Sequence, residues 1–147
     1  MTMNQKFEEI CAGGEIFGPI PETTIAEAEA GLNVRFPQQY RDFLQRFGSG
    51  FFAGFEIYGL PDPEKNDPPL WQDVLKVTKQ LREWGQAGAE NPAYIPITED
   101  GTGVYFFLDT AASPSTKILA IGPGIERTVS LDLFDFVVDL SEGRVHL

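Results

Sequence analysis

One cysteine, Cys11, and one histidine, His146, are all that the 147 residues contain of either type. A single cysteine closes no internal disulfide, and its isolation points to a reducing, cytoplasmic setting. A lone histidine one residue from the last position supports neither a Ser-His-Asp nor a Cys-His arrangement, nor a histidine-based zinc site. Basic residues are also scarce, 11 against 22 acids, for a formal net charge of −11. No Lys/Arg cluster forms the basic face that a nucleic-acid backbone requires, and an anionic membrane surface would repel this chain. Long apolar runs are missing, so no membrane-spanning segment is expected. The opening "MTMNQKFEEI" has no basic region followed by an apolar stretch, so no secretion signal is expected either.

What remains is acidic, aromatic and rich in turn formers. A chain of this size buries roughly 70% of the surface its unfolded state exposes. It is therefore read as one domain over residues 1–147, folding without disulfides or metal. The excess of acids would attract and steer a basic protein partner, although acidity also serves plain solubility.

Helical spacing appears first at Phe7, Ile10 and Cys11, within Asn4 to Cys11. Thr24 and Glu27 match a capping box that would open a second helix, with Gly31 as its stop. In "FPQQYRDFLQRFG", Pro37 suits a first helical position, and Tyr40, Phe43, Leu44 and Phe47 form one apolar stripe ending at Gly48. Phe55 to Tyr58 reads as a strand, and "PDPEKNDPP" as an exposed loop. Leu70 to Trp84 returns to the helical period through Val74, Leu75, Val77, Thr78, Leu81 and Trp84. Four strand-like runs follow, Tyr94 to Ile97, Val104 to Asp109, Lys117 to Ile121 and Arg127 to Val129. Ser130 would cap a last helix with Leu131, Phe134, Val137 and Val138 inward. Helices, then a run of strands, then a helix, give an α+β fold: a mainly antiparallel sheet flanked by helices.

The acids of "YIPITEDGTGVYFFLDT" pose the main chemical question. An EF-hand loop needs alternating ligands and a distal glutamate, whereas Glu99 and Asp100 are adjacent and no such glutamate follows. Asp100-Gly101 is instead a hairpin signal, because glycine accepts positive φ and aspartate tolerates it. The side chains of Thr98 and Asp100 are expected to bond nearby backbone N–H groups, with a wide hairpin or a bulge at Gly103. "GSG" around Ser49 lacks the spacing of a nucleophile elbow, and "GPG" at Gly122 to Gly124 is a turn without a phosphate-binding helix. Neither a cofactor nor a metal is implied, and no catalytic residue is assigned. A carboxylate hydrolase built on Asp100 or Asp109 is the residual enzymatic alternative. Among the aromatics, Phe47, Phe51, Phe52 and Phe55 belong mostly to the core, while Trp71 beside the proline-rich loop is the expected exposed anchor.

"IAEAEAGLNVRFPQQYRDFLQRFGSG…YGL" resembles the N-terminal signature of the SUKH superfamily, the cell-wall-assembly-regulator-like (Smi–Knr) group, through Ile25, Glu29, Phe36, Pro37, Tyr40, Phe43, Leu44 and Gly50. "IPITEDGTGVYFFLD" is similar to its second motif at Ile95, Pro96, Ile97, Asp100, Gly103 and Asp109. "SLDLFDFVVDL" is similar to its closing helix, with Phe134 in the S-F-x-x-[FL] position of that pattern. Together these run from Thr23 to Leu140; Val104 departs from the polar residue common after the glycine. The resemblance implies a single α+β domain and a bacterial immunity protein that binds and neutralises a toxin domain without turnover. Fungal relatives imply the alternative, a regulatory or scaffold module. The expected partner is a protein, a basic toxin domain, with contacts through Asp62, Glu64, Asp67, Trp71, Glu99 and Asp100.

Overall fold

The computed structural model describes residues 5–64, 68–112 and 114–145. Among these, five α-helices surround two antiparallel sheets. The first part of the chain gives α1 (Gln5–Gly13), β1 (Glu15–Ile16), α2 (Glu22–Leu32), α3 (Gln38–Phe47), β2 (Gly50–Phe52) and β3 (Phe55–Ile57). The second gives α4 (Val74–Trp84), β4 (Tyr94–Glu99), β5 (Tyr105–Asp109), β6 (Lys117–Gly122), β7 (Ile125–Ser130) and α5 (Leu133–Ser141). Strands run β1-β2-β3 in one sheet and β4-β5-β6-β7 in the other. The α+β reading of the sequence therefore holds, with two sheets in place of one.

α3 shows how the pattern becomes structure. Tyr40, Phe43, Leu44 and Phe47 are all buried on one face. Phe7 of α1 meets Phe43, Phe47, Phe52 and Phe134 within 4.8–6.4 Å of ring-centroid distance, which ties the first and last helices together. Alternation along the larger sheet separates its faces. Ile95, Ile97, Phe106, Leu108, Ile118 and Ala120 join the helix-covered core, whereas Phe107, Leu119 and Ile121 form a second cluster on the opposite face.

The two sheets are joined at a bulge. Register along β4 and β5 shifts between Pro96 and Thr98, which frees the Ile97 carbonyl to accept from the Tyr58 N–H at 2.7 Å. Thr98 Oγ1 donates to the Glu56 carbonyl at 2.8 Å beside it. Of the two alternatives expected for this turn, the wide hairpin holds, since five residues, Asp100 to Val104, join the strands; the bulge lies at Ile97, whose carbonyl bonds Tyr58. Thr98 correspondingly bonds across to β3 and not to a neighbouring N–H.

Other local expectations are corrected. α2 starts at Glu22, where the Pro21 carbonyl accepts from Thr24 N and Ile25 N, so Thr24 is inside the helix and forms no capping box. Asn33, left-handed at φ 55°, stops α2 two residues beyond Gly31. α5 is capped by Asp132, whose Oδ1 accepts from Asp135 N at 2.9 Å. Ser130 instead closes β7, its Oγ accepting from Asp132 N, and Leu131 points outward with 65% exposure. Leu70–Gln72 is a short 3-10 turn, and Asp73 caps α4 through Leu75 N and Lys76 N. β1 and β2 escaped the sequence pattern because they are two and three residues long. Gly59 is required by proximity: a Cβ there would sit 1.6 Å from the Gly48 carbonyl oxygen.

Candidate functional site

A groove of about 350 Å³ opens between the end of α4 and the strands that meet at the bulge. Its walls come from Leu70 and Trp71 of the 3-10 turn, from Val77, Leu81 and Trp84 of α4, and from Tyr58 and Tyr105. Period-2 alternation in β3 buries Ile57 and turns Glu56 to the groove, where Glu99, the last residue of β4, joins it. Trp84 and Leu70 are the most exposed apolar side chains here, at 65% and 48%. The helical period had placed Trp84 inward; it is the last residue of α4, before the left-handed Gly85, and its side chain is exposed while Val77 and Leu81 are buried.

The groove is acidic at one end. Burial raises the Glu56 carboxyl above the ordinary glutamate range, and the neighbouring charge of Glu99 adds to this. Burial also pushes Tyr105 up to about 12, helped by the Glu99 charge and by a hydrogen bond to Glu99. Tyr58 moves in the same direction, from burial first and then from Glu99, Tyr105 and Glu56. Both phenols therefore stay neutral at physiological pH.

The sequence-predicted contact residues divide among three places. Trp71 and Glu99 line this groove. Trp71 is only half exposed, since its ring packs edge-on against Phe17 at 5.4 Å and 82°. Asp100 lines an adjoining recess with Glu56, Glu99, Gly54, Phe55 and Gly101. Its Oδ1 accepts from Thr102 N at 2.8 Å and Thr102 Oγ1 at 2.7 Å, so it also shapes the hairpin. Asp62 and Glu64 are exposed on the proline-rich loop and do not line the groove; Asp62 Oδ1 accepts from Glu64 N at 2.9 Å. Asp67 lies outside the described residues. Glu56, Tyr58, Leu70, Trp84 and Tyr105 were missed as site residues. Only the in-out alternation of "FEIYG" carried a signal for any of them, and it concerned Glu56.

The groove supplies apolar faces, aromatic rings and two carboxylates. Asp109, the other acid weighed for hydrolysis, accepts from Ala111 N through its Oδ1 at 3.0 Å. Among the described residues no group of three or more His, Cys, Asp or Glu is placed to hold a metal ion, and no helix is long and apolar enough to cross a membrane.

A family model described as SMI1-KNR4 cell-wall matches residues 22–137. No curated protein matches the chain. Among solved structures, the chain is similar to a protein from Pseudomonas syringae pv. tomato, with a TM-score of 0.70 and 16% identity over 92% of this chain and 96% of that one. At that identity the likeness speaks for the fold alone.

Proposed function

The chain belongs to the SMI1-KNR4 cell-wall family, and on that premise we propose that it is an immunity protein: it binds a toxin domain and neutralises it by stoichiometric occlusion, without turnover. The observation that carries this is the groove. Exposed Trp84 and Leu70 beside Glu56 and Glu99 have the composition of an interface centre, an aromatic anchor flanked by charge. Asp100 extends the acidic surface, and Asp62, Glu64 and Asp67 of the proline-rich loop add steering charge. A basic toxin cleft would then meet the chain at up to roughly 10⁸ M⁻¹s⁻¹ at low salt. No enzymatic role is proposed, because the oxygens of Asp100 and Asp109 described above are held by backbone amides.

The second reading is a regulatory or scaffold module that binds an endogenous partner. It is favoured by the cell-wall description of the family. Expressing the chain with the product of any adjacent toxin gene separates the two. Immunity predicts a one-to-one complex and rescue of growth; a scaffold predicts neither, and copurifies with a housekeeping protein. Charge reversal at Glu56, Glu99, Asp62 and Glu64 should slow association and flatten its salt dependence. An unchanged rate with unchanged salt dependence would remove electrostatic steering from the proposal.

A further inference from the structure

Both tryptophans of the chain, Trp71 and Trp84, line the groove. Its apolar wall and its acids lie side by side: Leu70, Trp84 and Tyr105 with Glu56 and Glu99. Among the described residues, no Lys or Arg forms an ion pair with either glutamate. Two like charges beside aromatic rings repel each other, and a cation between them would offset that repulsion. The apolar wall matches an aliphatic stem, and the aromatic faces attract a cationic head.

We infer that the groove receives one arginine side chain from an exposed segment of the partner protein, its stem along Leu70 and Trp84 and its guanidinium between Glu56 and Glu99. The inference rests on the reading of this surface as a protein-binding site. Arginine is favoured over lysine because its planar fork can bond two carboxylates at once while stacking on a ring. A second copy of this chain is the poorer occupant, since each copy carries a formal charge of −11 and like bodies repel.

Because the only two tryptophans share the groove, intrinsic fluorescence reports on it directly. The full chain is titrated with the peptide Ac-Leu-Arg-Leu-NH2 and with the same peptide carrying citrulline, the neutral analogue of arginine. The arginine peptide should bind at least fivefold more tightly at low salt. That preference should vanish in the double variant Glu56→Gln, Glu99→Gln. Equal binding of the two peptides overturns the inference, and this comparison uses the native chain, so it does not depend on a variant folding. A preference that survives the double variant also overturns it, as does a fluorescence change that tracks self-association in sedimentation. Neutralisation of the partner without arginine preference sinks the occupant and leaves occlusion standing. Arginine preference without neutralisation sinks occlusion and leaves the groove's selectivity standing.

Discussion

The hydroxyl of Tyr40 donates to the carbonyl of Tyr58 at 2.7 Å inside the core. Tyr58 meanwhile gives its own N–H to Ile97. One residue thus fastens helix α3 on one side and the larger sheet on the other. The same residue forms part of the groove wall, so the site is positioned by the centre of the fold.

Tyr40→Phe keeps the ring and deletes the hydroxyl. It leaves the Tyr58 carbonyl without this donor in a buried place, a loss of about 1–3 kcal/mol. Urea unfolding should show a lower midpoint with an unchanged slope. An unchanged midpoint would mean that water replaces the phenol and that the tie is dispensable.

Glu29 carries a comparable tie at the surface of α2. Its Oε2 accepts from Phe36 N at 2.8 Å, and both of its oxygens receive Arg41, which also pairs with Glu22. Arg41 and Glu29 each have side chains only 14% exposed. Glu29→Ala removes an acceptor for a backbone amide and a partner for a half-buried cation, at about 2–3 kcal/mol. Glu29→Gln retains an acceptor for Phe36 N and should cost less than half as much. Equal losses in the two variants would assign the whole effect to charge.

These ties explain how much of the protein was legible. Apolar period announced α3, α4 and α5, and apolar runs announced β4, β5 and β6, because several buried side chains in each leave a repeated mark. The SUKH-like positions Glu29, Tyr40, Asp100 and Asp109 stood out in the sequence, and the structure shows each binding backbone. Helix starts were less legible, since a proline carbonyl began α2 and Asp132, two places after Ser130, began α5. The groove was mostly illegible. Glu56, Trp84 and Tyr105 come from three separate elements, β3, α4 and β5, and only the tertiary fold brings them to one groove.

Glu56 should link stability to pH. Burial and Glu99 hold its carboxyl above the ordinary range, so the native state binds that proton more tightly than the unfolded chain does. The contribution of this group to stability therefore grows as pH falls through the native pKa and is smallest at neutral pH. Glu56→Gln removes the charge and should raise stability at neutral pH. The advantage over the native chain should shrink toward pH 4.5, the ordinary glutamate value. Paired urea titrations at the two pH values measure this as a difference, in which the other titrating acids cancel. A variant less stable than the native chain at neutral pH would show that the carboxylate is favourably bound.

Asp100 separates shape from charge. Its Oδ1 holds Thr102 N and Thr102 Oγ1 across the hairpin tip, where Gly101 sits at φ 84°. Asn can supply the same acceptor without the charge, and it tolerates the same turn. Asp100→Asn should therefore leave thermal stability within about 0.5 kcal/mol of the native chain, as expected for a surface change that keeps its bond. Asp100→Ala loses the acceptor and should cost about 1 kcal/mol. Partner association gives the opposite ranking of causes: if Asp100 acts by charge, Asn and Ala slow the on-rate equally despite their different stabilities. Stopped-flow association at low salt measures this. An on-rate preserved by Asn and lost in Ala would assign Asp100 to loop shape and remove it from the steering acids.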